Sequence, residues 1–245
     1  MTDAPKPGGY FPRDRGWHPP ALSPAYKTTV KRAPSLAPLS FPTSLGEETG
    51  PVFGHETLGP LDGDLIHNFA GLENPAIGPR IVVHGRVLDE RARPVPGALI
   101  EIWQANAGGR YRHRNESYLA PLDPHFGGCG RVISREDGSY EFRTVMPGPY
   151  PWPNGMNDWR PAHIHLSIFG PAFAQRLVTQ MYFEGDPLIW LCPIVGAIPS
   201  RAAIESLIAP VDSARNIPMD ARAYKFDIVL RGRRQTMFEN RKDGM

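Results

Sequence analysis

Cysteine is nearly absent from this chain, with only Cys129 and Cys192 among 245 residues. Two thiols cannot build the cross-linked framework of a small secreted domain, so a packed core has to hold the fold. Reduced thiols in a cytoplasmic protein are the simpler reading. An excess of charge of one sign is also missing. Twenty-seven Lys and Arg face 25 Asp and Glu, for a formal net charge of +2. That excludes the concentrated basic face of a dedicated nucleic-acid binder. The short basic runs "RYRHR" (110–114) and "RGRRQ" (231–235) read as solvated faces. There is no long apolar run. "LIWLCPIVGAI" (188–198) is interrupted by Pro193 and is too short for a membrane span, which needs about 20 residues. The start, "MTDAPKPGGY", lacks the apolar stretch of a secretory signal. Neither HExxH nor CxxC occurs.

Proline is abundant instead. Eleven of the 28 prolines fall in the first 60 residues, and no helical or alternating pattern is sustained up to residue 76. Proline fixes φ and removes a backbone donor, which excludes regular helix and central strand over most of this stretch. Tyr10, Phe11, Trp17, Tyr26, Phe41 and Phe53 are spread along it, whereas disordered segments are poor in aromatics. Residues 1–76 therefore read as an extended arm wrapping the body or a partner, with residues 77–245 as the body. A short helix near the end of the arm is compatible with this.

From residue 78 the pattern is β. "RIVVHGRVL" (80–88), "ALIEIWQA" (98–105), "HIHLSIF" (163–169), "RLVTQMYF" (176–183) and "YKFDIVLRG" (224–232) are rich in β-branched and aromatic residues. "GRVISRE" and "SYEFRTV" flank Asp137-Gly138, which predicts a hairpin through a type I′ turn. "RRQTMFE" (233–239) is a further candidate strand. One helix is predicted over "SRAAIESLIA" (200–209), capped by Ser200. Short strands at near-regular spacing predict a mostly β fold: a β-sandwich of antiparallel strands with long loops and a proline-rich N-terminal arm.

The stretch "PGPYPWPNGMNDWRPAHIHLSI" (147–168) carries the chemistry. His163 and His165 are two apart on a strand, so both imidazoles share one face. Two neutral imidazoles form half of a metal site, and a structural or exposed pair is the plain alternative. Zinc is the usual metal for such a pair, but the only carboxylate in the segment is Asp158. The available oxygen donor is Tyr150, held between prolines, although packing alone also accounts for a rigid tyrosine there. A phenolate is a hard, anionic ligand that favours Fe(III), and a trivalent ion pulls a phenol down from its usual pKa of about 10. Charge balance asks for more anions, and two tyrosinates with a hydroxide neutralise Fe(III). Residue chemistry does not choose between Tyr111 and Tyr118 as the second phenol.

"GGRYRH", "LDPHFGG", "PGPYPW" and "DWRPAHIH" occur in this order, and together they resemble the intradiol ring-cleaving dioxygenases. The likeness runs from about Tyr26 to "FDIVLRGRRQTMFEN". It implies a non-haem Fe(III) site of Tyr111, Tyr150, His163 and His165, with Tyr150 as the ligand that departs when substrate binds and Tyr111 as the one that stays. It is strongest to the iron-bearing β chains that work with a homologous α chain lacking these ligands. For them the implied reaction is cleavage of protocatechuate by O2 to 3-carboxy-cis,cis-muconate in aromatic catabolism. Relatives acting on catechol or hydroxyquinol carry an N-terminal helical region and a longer insertion before the His pair. Here twelve residues separate Tyr150 from His163. Cys129, inside "FGGCGR", is expected to be a small buried side chain, and Pro153 an added stiffener.

Arg160, three residues before the first His, is expected to stabilise negative charge developing on the ring, with a salt-bridged surface residue as the plain alternative. Gln180 is expected to be its polar neighbour facing substrate. Trp152 and Ile194 are expected to line an apolar pocket, a role that ordinary core packing would also explain. Tyr26 and Arg32, in "AYKTTVKR", could reach a substrate carboxylate, and a plain surface charge is the alternative for Arg32. The competing reading is a non-catalytic sandwich module, because "VLDERARPVPGALIEIWQ" (87–104) resembles transthyretin-like domains. That reading leaves the two tyrosines and two histidines as coincidence.

Overall fold

The computed structural model describes residues 16–33, 58–170, 176–230 and 236. Its strands are β1 (Arg80–Leu88), β2 (Leu99–Gln104), β3 (Cys129–Ile133), β4 (Ser139–Val145), β5 (Tyr150–Pro151), β6 (Trp159–Arg160), β7 (His163–Phe169), β8 (Arg176–Phe183), β9 (Ile208–Ala209), β10 (Ala221–Lys225) and β11 (Ile228–Val229). They form a β-sandwich. One sheet is built on β1, with β4 along one side and β10 and β11 in succession along the other. The second runs β3-β2-β7-β8-β9, and β5 and β6 make a separate two-stranded ribbon. Leu65 and Ile66, which precede β1, are fully buried in the core with Ile81, Val83, Ile100, Ile164, Leu166 and Phe142. Most of the predicted strand "RRQTMFE" (all but Thr236), all of "RGRRQ", and Tyr10, Phe11, Phe41 and Phe53 lie outside the described residues. Among the described residues no helix is long and apolar enough to cross a membrane.

Four expectations are corrected. The strands are not all antiparallel: β10 and β11 run parallel to β1, and β9 runs parallel to β8. The chain reaches β9 only after a long crossover through residues 184–207, the kind of connection parallel pairing needs. The helix capped by Ser200 exists, with Ser200 Oγ accepting from the Ala203 N–H, but it stops at Glu205. Its expected last residues, Ile208 and Ala209, are captured by the end of β8, where Tyr182 and Glu184 donate to the Leu207 and Ala209 carbonyls.

The strand predicted over 224–232 is broken after Lys225. Phe226 N–H turns to the His84 carbonyl, and Asp227 Oδ1 takes the Arg86 N–H. Gly85 makes this crossing possible, since a β-carbon there would lie 1.8 Å from the Phe226 carbonyl oxygen.

The turn at Asp137-Gly138 is not type I′. Only Gly138 has positive φ, +74°. Gly138 N–H donates to the Arg135 carbonyl and Arg135 N–H to the Ser139 carbonyl, the geometry of a type I turn closed by a left-handed glycine. The flanking strands then part, β3 joining the five-stranded sheet and β4 the four-stranded one. The turn is a corner of the sandwich, not the tip of a ribbon.

The two sheets also share a buried polar link. Thr144 Oγ1 on β4 donates to Gln104 Oε1 on β2, 2.9 Å away, and Gln104 Nε2 donates to the Val145 and Ala105 carbonyls. Gln104 and Thr144 are both buried, where an unmatched polar atom is costly. Thr144→Val keeps the shape and strands Gln104 Oε1. It is expected to lower unfolding free energy by about 1–3 kcal/mol in a denaturant titration, and unchanged stability would remove the link from the account.

Candidate metal centre

The face of the five-stranded sheet that points away from the core carries the site. On β7, Ile164, Leu166 and Ile168 point into the core, so His163 and His165 point outward together. Cross-strand register sets their neighbours. Trp103 and Gln180 lie directly opposite His165, and Tyr182 lies opposite His163. The Trp103 ring stacks on His165, with centroids 4.8 Å apart and planes within 4°. Even this outer face is covered, and both histidines are buried.

The phenols arrive on loops. Gly109 has φ +80°, and a β-carbon there would meet the Pro149 carbonyl oxygen at 2.2 Å. A β-carbon on Gly148 would meet the Gly109 nitrogen at 2.6 Å. Only glycine tolerates this approach of "GGRY" to "PGPY", and the tyrosines two residues after Gly109 and Gly148 meet as a result. Asn106, nearly buried, organises the first loop: its Oδ1 accepts from Gly108 and Arg110 N–H, and its Nδ2 donates to the Pro121 carbonyl. Tyr150 belongs to β5, directly opposite Arg160 on β6. The proline-rich segment is thus a ribbon that holds a phenol and a guanidinium across from each other.

Four donor atoms converge. Tyr111 Oη and Tyr150 Oη each lie 3.4 Å from His163 Nε2, and His165 Nε2 lies 3.1 Å from Tyr111 Oη. His163 Nδ1 is 2.7 Å from the Pro161 carbonyl, which can only accept. Nδ1 is therefore protonated and Nε2 presents its single lone pair to both phenols. One lone pair cannot accept two hydroxyl protons well, whereas a cation among the four atoms would satisfy them all. Burial, then the nearby Arg160 charge, then His165 push the His163 pKa well below its ordinary value, so the ring stays neutral, the form in which imidazole ligates. Among the described residues no cluster of three His, Cys, Asp or Glu side chains could hold a metal. A cation here would rely on phenols, which suits a hard, highly charged ion. Tyr118, the alternative phenol, is not part of this group of contacts.

Of the other expected residues, Arg160 and Gln180 are both buried, and an Arg160 N–H donates to Gln180 Oε1. Tyr182 Oη also donates to that oxygen, at 2.9 Å, which fixes the amide orientation and leaves the Gln180 Nε2 buried with no hydrogen-bond partner. Trp152 lies beside Arg160, 5.7 Å from ring centroid to guanidinium carbon. Tyr26 meets Trp152 edge-on at 5.3 Å, and the Arg32 guanidinium lies 4.8 Å from the Tyr26 ring. Ile194, in the helical turn Pro193–Gly196, packs against the sandwich core, and no described contact ties it to the four donors. Asp158 is taken up in the ribbon: its carboxylate accepts from Asn154 and its carbonyl from Trp152 N–H. Cys129 corrects an expectation, being exposed where a small buried side chain was predicted. As the first residue of edge strand β3, opposite Trp103, it points to the outer face.

Sequence reasoning missed Trp103, Asn106, Tyr182 and Asn154. Trp103 and Tyr182 were legible in principle, since each sits at even spacing on a predicted strand. Their role needed the register between strands.

Comparison with known proteins agrees with this geometry. The family described as "Dioxygenase" matches residues 48–232, and the family described as "Protocatechuate 3,4-dioxygenase beta subunit N terminal" matches residues 11–44. The chain is 48% identical over 228 residues to the protocatechuate 3,4-dioxygenase beta chain of Burkholderia cepacia, covering 93% of this chain and 96% of that one. It is 37% identical over 125 residues to a chlorocatechol 1,2-dioxygenase of Rhodococcus opacus, 46% of each chain. The solved hydroxyquinol 1,2-dioxygenase of Pseudomonas putida DLL-E4 shares the fold, with TM-score 0.52 and 24% identity over 87% of this chain and 71% of that one. The chain belongs to the intradiol ring-cleaving dioxygenases, a family of generally non-haem iron enzymes.

Proposed function

We propose that this chain is the iron-bearing subunit of an enzyme that cleaves protocatechuate with O2, between the two hydroxylated ring carbons, to 3-carboxy-cis,cis-muconate. The observation that carries the reading is the convergence of Tyr111 Oη, Tyr150 Oη, His163 Nε2 and His165 Nε2 within 3.1–3.4 Å contacts, beside a buried arginine. The near full-length identity to a protocatechuate enzyme's beta chain supports the substrate. The reaction balances without a reductant, since both oxygen atoms enter the product. Tyr111, Tyr150, His163 and His165 would hold Fe(III). When bound, that ion would supply the Lewis acidity that lets a catechol bind as its dianion and makes its ring reactive toward O2.

The chain's own residues do the rest. Tyr150 Oη, on the short β5 and half-buried, is placed to accept a catechol hydroxyl proton. Pro161 holds His163 in the tautomer that keeps Nε2 free of a proton. Arg160, fixed by Gln180, sets a positive charge where the ring becomes electron-rich, in a site from which protein excludes water. Trp152 and Ile194 supply the apolar walls. Tyr26 and Arg32 recognise the substrate carboxylate from residues 1–76, which act as an arm over the body. A homologous α chain completes the enzyme in an αβ hetero-oligomer, in the cytoplasm. A beta chain by name implies such a partner.

Tyr111→Phe, His163→Ala and His165→Ala are each expected to lose iron and turnover, because among the described residues no carboxylate is at hand to substitute. Tyr150→Phe is expected to keep part of the iron while turnover falls and the tyrosinate-to-iron visible absorption changes, since Tyr111 still contributes to it. Metal analysis and absorption spectra check this, and wild-type iron content with full activity in the first three would overturn the ligand set. Arg160→Ala is expected to keep iron and lose about 10²–10³-fold in kcat. A rate within twofold of wild type would remove it from the mechanism. Tyr26→Phe and Arg32→Ala are expected to raise KM for protocatechuate more than for catechol, in enzyme assembled with an α chain. Full activity of this chain as a homo-oligomer would show that it needs no such partner.

A further inference from the structure

The segment carrying Tyr26 and Arg32 is poorly equipped to hold itself. Helix α1 (Lys27–Arg32) has six residues, and its N-cap position is Tyr26, which makes no side-chain cap. A helix of this length is not stable alone in water. Thr29 knots the turn locally, its hydroxyl donating to the Ser23 carbonyl and accepting from Ser23 N–H, but nothing in that knot reaches the body. Trp17, upstream, packs against the core, and residues 25–27 are attached by the turn between β5 and β6. Asn154 Oδ1 accepts from Lys27 N–H at 2.8 Å. Asn154 Nδ2 donates to the Ala25 carbonyl at 2.8 Å and to Asp158 Oδ2 at 2.7 Å. Asn154 is 5% exposed, so these bonds are shielded from water. The assignment of its oxygen and nitrogen is unambiguous, because Lys27 N–H can only donate and the other two partners only accept.

We infer that Asn154 is a positioning residue for substrate selectivity: it clamps residues 25–27 to the ribbon that bears Tyr150 and Arg160, and so sets where Tyr26 and Arg32 stand. Its two sides are linked by geometry. Tyr26, between the two clamped backbone groups, lies against Trp152, and Trp152 lies against Arg160. Asp158, the third partner, is anchored through its carbonyl to Trp152 N–H. Releasing Asn154 frees the carboxylate-recognising end of the site while leaving the four donor atoms on their own elements. The consequence for selectivity rests on the role proposed above for Tyr26 and Arg32, whereas the clamp itself does not.

The test uses the iron-loaded enzyme with its α chain and compares Asn154→Ala with wild type. Lys27, Lys31 and Arg32 are exposed, so brief trypsin treatment with mass analysis reads the docking of this segment directly. Asn154→Ala is expected to be cut there several-fold faster. KM for protocatechuate is expected to rise roughly tenfold, the effect of losing a cap and a buried hydrogen bond. KM for catechol and kcat are expected to stay within twofold. Asn154→Ser keeps one uncharged hydroxyl that can take up part of these bonds without setting a second carboxylate against Asp158, and is expected to fall between the two. It also serves if the alanine variant does not fold. Unchanged cutting in both variants would overturn the clamp whatever KM does. Faster cutting with no change in the protocatechuate-to-catechol ratio would uphold the clamp and overturn the substrate role of Tyr26 and Arg32.

Discussion

The site depends on a backbone contact that has no space for a β-carbon. Gly109 lies against the Pro149 carbonyl and Gly148 against the Gly109 nitrogen. Both phenols come from the residues that follow, Tyr111 and Tyr150, on loops that leave the ends of β2 and β4. If the loops stood apart by the width of one methyl group, the two hydroxyls could not both lie 3.4 Å from His163 Nε2. The prolines beside Tyr150 and the Asn106 hydrogen bonds beside Tyr111 serve the same end, because each limits how far its loop can move from that contact.

The donors differ in how firmly they are held. The imidazoles stand on β7, a central strand hydrogen-bonded on both sides. His165 is further pinned by the Trp103 stack and His163 by the Pro161 carbonyl. The phenols are half-buried and sit on loops or a two-residue strand. That gradient suits a reaction in which the nitrogen donors stay and one oxygen donor gives way. Arg160 belongs to the firm part. Its burial would be costly for a lone cation, but Gln180 holds it, and its charge helps to keep His163 neutral. One guanidinium therefore acts on His163 and, in the proposed reaction, would act on the substrate ring as well.

Much of this was legible in the residues. Strands β1, β4, β7 and β8 match their predicted spans, because β-branched runs bounded by turn residues leave little choice. The placement of His163 and His165 on one face followed from period two alone. What was not legible depended on pairing. No local feature of "REDGS" says that its two arms enter different sheets; that follows from β3 finding β2 and β4 finding β1. The break after Lys225 required knowing that Phe226 passes over Gly85. The exposure of Cys129 required knowing that β3 is an edge strand. The choice of Tyr111 over Tyr118 came from resemblance to a family, and its spatial reason, the glycine contact, appears only in three dimensions.

The arm segment shows why long-range partners can matter more than local propensity. Residues 23–33 contain a turn, a six-residue helix with no cap of its own and one buried aromatic, Tyr26. Cut from the body it has too little apolar surface to offset the entropy of ordering. Its backbone is held at Lys27 by a side chain 127 positions away, on the ribbon that carries Tyr150 and Arg160. An element of such low intrinsic stability can be docked, reshaped or shared with a partner chain without disturbing the sheets. In the proposed function, selectivity would then rest on groups whose position is adjustable, while the nitrogen donors and Arg160 hold positions that are not. The two meet at Trp152, which touches Tyr26 on one side and Arg160 on the other.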